Sequence, residues 1–164
     1  METDWVALID SDNEIVPEYF EAIKAYWIKN GRSDKGIYMP SGVVQTYDHT
    51  TDINIPLPSL AGVQVDKTNW NEFLKNTNRI HNVDFALGVG NCVYHKSVCK
   101  DLPFDLPKDQ MVECKVMCKI LIEKGYTLHF VPNMKYYHFT HPQSFFAQNK
   151  EQMIHFDLST NWYI

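Results

Sequence analysis

Two aspartates one residue apart, Asp10 and Asp12, follow directly on the apolar run Trp5-Val6-Ala7-Leu8-Ile9. Side chains two apart on a strand leave the same face, so the pair is expected to project together while Ser11 turns away. Two close carboxylates repel unless a cation lies between or beside them. Hard oxygen ligands at such a place suit Mg²⁺ or Mn²⁺ together with a diphosphate. The competing reading is conformational: Asp12 or Asn13 shapes the turn into the next helix. An EF-hand loop does not fit, because its sixth position needs Gly and Ile15 stands there.

The elements that must hold this pair can be read along the chain. The run from Trp5 to Ile9 has the signature of a strand covered on both faces, as in a parallel sheet. Ligands of open α/β sheets bind at the carboxyl ends of strands, where the aspartates stand. Pro17 suits the first turn of a helix, with Glu18 and Glu21 near its positive end. Phe20, Ile23 and Trp27, with Tyr19 and Tyr26 beside them, recur at helical spacing until Gly31. A short strand is expected around Ile37 to Met39. From Ser41 to Asp66 the composition reads mainly as a long surface excursion.

Residues 69–77 suit a short helix, and "DFALGVGNCVYH" suits one or two strands interrupted by Gly88 and Gly90. The clearest helix covers about 110–124, with Met111, Cys114, Cys118, Leu121 and Ile122 as its apolar stripe and Gly125 as its stop. "YTLHFVP" and "MKYYHF" read as two closing strands, and "HPQSFFAQNKEQMIHF" as a terminal helix. The order is α/β throughout.

A chain of 164 residues fits one domain with a sizeable core. Its net charge of -5 argues against a partner held by nucleic-acid phosphates. No apolar run approaches the roughly 18 residues of a membrane helix, and no leader pattern precedes the first strand. Cys92, Cys99, Cys114 and Cys118 have neither metal-site spacing nor the density of a disulfide scaffold, and no N-x-S/T sequon occurs. A reducing, cytoplasmic setting is the expectation, with the cysteines as small buried hydrophobes.

The segment "DWVALIDSDNEIVPEYFEAI" resembles the GT-A glycosyltransferases, above all inverting family 2, whose segment reads W-x-x-x-L-D-x-D-D/N-x-x-x-P. "DLPFD" resembles the F-D that precedes that family's catalytic helix. "VPNMKYYHFTHPQS" resembles its closing segment, with His138 six residues after Pro132 and Ser144 beyond. The likeness spans about residues 4–146. Haloacid-dehalogenase phosphatases share D-x-D-x-T/V, but Glu14 breaks that pattern.

The resemblance implies a partial GT-A (Rossmann-like) mixed sheet flanked by helices, with residues 1–164 as one domain. It implies transfer of a sugar, with inversion, from a nucleotide-diphosphate sugar to a hydroxyl of a glycan, lipid or protein acceptor, using Mn²⁺ or Mg²⁺. Asp10 and Asp12 would bind the donor, Asp10 at the ribose and Asp12 through the metal. His138 would add a second ligand, with His141 close enough to compete; otherwise His138 is an ordinary strand residue between Tyr137 and Phe139.

The family's E-D pair, whose Asp is the base, aligns with Glu113-Cys114. Glu113 is then the substitute base and Asp109 the other candidate, unless Asp109 only caps the helix. The family's N-terminal nucleotide-binding half has no counterpart before Trp5. The expectation is therefore a metal- and acceptor-side half, completed by a partner chain or a second copy. Two rivals stand beside it: a degenerate, non-catalytic relative serving as a binding or assembly module, and a metal-dependent phosphohydrolase or nucleotidyltransferase using the same aspartates.

Overall fold

The computed structural model describes residues 3–10, 13–47, 51–56, 60–77, 91–102 and 113–140. In chain order the elements are β1 (Trp5–Ile9), β2 (Asn13–Ile15), α1 (Tyr19–Asn30), β3 (Gly36–Tyr47), β4 (Thr51–Pro56), β5 (Gln64–Val65), α2 (Trp70–Thr77), β6 (Asn91–His95), a 3₁₀ segment (Lys96–Asp101), α3 (Glu113–Glu123) and β7 (Thr127–Thr140). The fold is α/β, a mixed seven-stranded sheet with helices on both faces.

Alternation along the strands builds two cores. Ile37, Met39, Cys92, Tyr94, Leu128 and Phe130 point to the face covered by α2, α3 and the 3₁₀ segment. Tyr38, Val93 and Val131 point to the other face, under Tyr19, Ile23 and Tyr26 of α1. The principal strand order is β1-β6-β3-β7-β2, with β4 paired to β3 and β5 to β7. Only β3 and β7 run parallel; the remaining pairs are antiparallel.

The sheet must bend. β1 and β2 stand at opposite ends of that order, and a flat five-strand sheet would hold them about 19 Å apart. The four peptide units from Ile9 to Asn13 reach about 15 Å at most. The bend shows where the β3–β7 register jumps, from Pro40 opposite Val131 to Gly42 opposite Lys135. Asn133 there takes a left-handed conformation (φ 63°), which Asn tolerates better than other side chains, and the buried Ser41 hydroxyl donates to the Val131 carbonyl at 2.7 Å.

Several expectations need correction. β1 is not covered on both sides: it pairs with β6 alone among the described residues, antiparallel rather than parallel, and Leu8 is 36% exposed. An apolar run reports what a strand can bury, not whether a neighbour stands there. On α1 the buried stripe is Tyr19, Ile23 and Tyr26, whereas Phe20 is half exposed. The stretch from Ser41 to Asp66 is less an excursion than sheet. Residues 41–47 extend β3, β4 folds back on it, and Ser41, Val43, Leu60 and Val65 are buried. The two closing strands are one, because the local distortion at Asn133 bends β7 without ending it.

Other expectations hold. Gly31 and Gly125, at φ 81° and 84°, end α1 and α3 in the backbone region where a side chain is strained. α2 falls where residues 69–77 place it. Cys92 and Cys118 are buried, as small hydrophobes would be, and Cys99 is half-buried. β6 falls in the second half of the segment 84–95 expected as one or two strands, while its first half, 84–90, and the expected terminal helix lie outside the described residues. No described helix is long and apolar enough to cross a membrane.

Candidate functional site

Ile9, the last residue of β1, pairs with Asn91, the first of β6, so Asp10 leaves the sheet beside Asn91. Asn91 Nδ2 donates to Asp10 Oδ2 at 3.2 Å, and Asn13 Nδ2 donates to the same oxygen at 3.3 Å. Asn13 Nδ2 also donates to Asn91 Oδ1 at 3.3 Å, closing a triangle of three side chains. The Asn13 N–H donates to the Asp10 carbonyl at 3.0 Å, which brings β2 back against the end of β1. Asn13 and Asn91 are buried, 9% and 1% exposed, while Asp10 faces solvent.

From α1, the fully buried Tyr19 donates its hydroxyl to the Asn91 carbonyl at 3.0 Å. Burial pushes the Tyr19 phenol well above its ordinary value, so it remains a donor. On the far side, Asn13 is directly opposite His138 in the β2–β7 ladder. Directly opposed residues of an antiparallel pair share a face, with Cβ atoms about 5 Å apart. The His138 ring is half-buried and stands edge-on to Tyr136, centroids 6.5 Å apart. Gln45 of β3 flanks His138 from the other strand.

Two residues read from sequence as donor contact and metal ligand, Asp10 and His138, thus meet through Asn13. Asp12 and Asp109 lie outside the described residues, as does His141. Glu113 opens α3 and Cys114 follows it; further along, Cys118, Leu121 and Ile122 are buried as the stripe requires. Among the described residues no three His, Cys, Asp or Glu side chains converge.

Asn91 was not legible as a site residue. Its only signal is a lone polar side chain between Gly90 and the apolar Cys-Val-Tyr of β6. Asn13 is legible only as a turn former. Its Oδ1 is buried and has no hydrogen-bond partner among the described residues. Flipping the amide would not relieve this, since it would turn an oxygen toward two acceptors.

The remaining histidines of interest are structural. His129 stacks on Tyr38, centroids 5.0 Å apart, and its Nδ1 meets the Tyr26 hydroxyl at 3.2 Å. Burial lowers its pKa and favours the neutral ring. His95 caps the 3₁₀ segment by accepting from the Ser97 N–H.

No protein-family model matches this chain, and no curated protein is significantly similar to it.

Proposed function

We propose that this chain is the metal- and acceptor-side part of a GT-A glycosyltransferase, transferring a sugar with inversion from a nucleotide-diphosphate sugar to a hydroxyl acceptor. One observation carries the reading: Asn13 bonds Asp10 on one side and stands opposite His138 on the other, which joins the D-x-D segment to the closing histidine. The donor set suits Mn²⁺ or Mg²⁺, with Asp12 and His138 as the residues that would hold it. When bound, such an ion offsets the negative charge that gathers on the departing diphosphate.

The chain's own residues have separate tasks in this reading. Asp10, held through one oxygen by two neutral amides, offers a ribose hydroxyl an acceptor of fixed direction. Glu113, at the head of α3, takes the acceptor proton, with Asp109 as the other candidate. That Cys92, Cys99 and Cys118 are not joined in disulfides fits a cytoplasmic setting.

A second reading is favoured by Cys114, which stands where the family has its base, and by the outer edge of β1, which has no partner among the described residues. In that reading the chain is a non-catalytic binding or assembly module, or one half of a split enzyme.

Calorimetric titration of UDP and GDP in the presence of Mn²⁺, on the wild type and on Asp12→Ala, separates these. Saturable binding that requires the metal and is lost in the variant supports the transferase site. Absence of binding to a folded wild-type chain sinks it as an independent donor site.

A further inference from the structure

We propose that Asn91 and Asn13 are positioning residues for Asp10, which rests on the donor-site reading of that carboxylate. Both side chains spend donors on the same oxygen, Asp10 Oδ2, although they come from different strands and Asp10 itself is exposed. An exposed carboxylate on a surface turn ordinarily samples several rotamers and satisfies itself with water. Here two buried amides reach out to it, and Asn91 Oδ1 in turn holds Asn13 in place.

The arrangement has a cost that packing alone does not explain. Asn13 keeps its donors on Asp10 and Asn91 while its own oxygen stays buried without a donor among the described residues. A buried acceptor left so costs on the order of 1–3 kcal/mol. Costs of that kind persist where surrounding structure enforces them for a task. The amides are also neutral: each donates an N–H to the carboxylate without bringing a charge of its own.

The Tyr19 hydroxyl completes the support from beneath. It holds the Asn91 backbone through the carbonyl, so the side chain starts from a fixed point. Asp10 is the residue that would touch the donor; Asn91 and Asn13 act through it.

The test compares the wild type with Asn91→Leu, Asn13→Ala and, as a control whose lost hydroxyl meets His129 and Gln64 rather than the Asp10 cluster, Tyr26→Phe. The χ1 rotamer population of Asp10 is read by NMR couplings, and UDP binding with Mn²⁺ by calorimetry. The expected result is one dominant Asp10 rotamer in the wild type and in Tyr26→Phe, averaged rotamers in the two Asn variants, and a loss of about 10- to 100-fold in Mn²⁺-supported UDP affinity in those variants. If Asn91→Leu does not fold, Asn13→Ala decides alone.

A single Asp10 rotamer that survives in the folded Asn variants overturns the positioning role, whatever the binding shows. Averaged rotamers with unchanged UDP affinity overturn its relevance to the donor. Averaged rotamers in a chain whose wild type binds no UDP, or whose Asp12→Ala variant binds it normally, support the positioning of Asp10 and remove the transferase reading instead.

Discussion

Replacing Tyr19 by Phe removes one oxygen and leaves the ring, so it isolates a single buried hydrogen bond beneath the candidate site. Tyr19 is 0% exposed and its hydroxyl donates to the Asn91 carbonyl at 3.0 Å. The ring fills the same volume in the variant, so no cavity term enters. A net intramolecular hydrogen bond contributes about 1 kcal/mol, and a buried acceptor deprived of its donor costs up to about 3 kcal/mol. Asn91 still lies in the β1–β6 ladder opposite Ile9, which places the cost toward the lower end. The expected loss is about 1–2 kcal/mol, or about 2 to 8 °C in Tm for a domain of this size. Urea unfolding at constant m value reads it directly. Tyr26→Phe is the internal comparison, since its hydroxyl meets His129 and Gln64 in a less buried place and should cost about 0.5–1 kcal/mol. Equal losses in the two variants, or a Tyr19→Phe loss under about 0.5 kcal/mol, would refute the assignment of this bond as a buried strut.

Stability should also fall in acid through His129. Its folded pKa lies below the ordinary 6.5 because burial disfavours the charged ring. The unfolded chain therefore binds a proton below about pH 6.5 that the folded chain refuses, so stability is full above that value and declines as pH drops toward the folded pKa. Urea midpoints from pH 7.5 to 5 should show a shallower acid loss in His129→Gln; parallel profiles would contradict it. Leu121→Ala, at a position of α3 that is 1% exposed in the core against the sheet, should cost about 2–5 kcal/mol in chemical denaturation, and a loss under about 1 kcal/mol would mean that the α3 packing is misassigned. Asn133→Val places a β-branched residue at φ 63° and should lower stability by about 1–2 kcal/mol, whereas Asn133→Gly should be neutral or better by thermal melting; the reverse order would argue against the bend in β7.

Much of this architecture is legible where local chemistry decides it. Gly31 and Gly125 announce the ends of α1 and α3, and the stripe of Cys118, Leu121 and Ile122 announces which face α3 buries. What sequence could not carry is pairing. The run Trp5–Ile9 has the composition of a central strand yet lies at the edge of the sheet formed by the described residues, because partners come from distant segments. Residues 41–47 carry Pro40 and Gly42 at their start and so read as loop, but the long parallel pairing with β7 overrides local propensity. On α1 the buried stripe lies a fraction of a turn from the one spacing suggests: Tyr19 rather than Phe20 is its first member, its hydroxyl held by the Asn91 carbonyl. At the candidate site, Asp10 and His138 are legible from type and position, whereas Asn91 is not, since an asparagine before a strand carries no signal of what it will bond.

The site's location follows from the bend in the sheet. Asp10 and Asn91 belong to the end where β1 and β6 pair; Asn13 and His138 belong to the end where β2 and β7 pair. The change of register between β3 and β7 near Pro40 and Asn133 lies between these two ends, which come within the reach of the short link from Ile9 to Asn13. Asn13 is the residue shared by both, through its side-chain amide on one side and its ladder position on the other. Its buried amide therefore couples the geometry of the bend to the direction of the Asp10 carboxylate. Flattening the sheet would draw Asn13 away with β2 and release Asp10, even with every residue of the site unchanged.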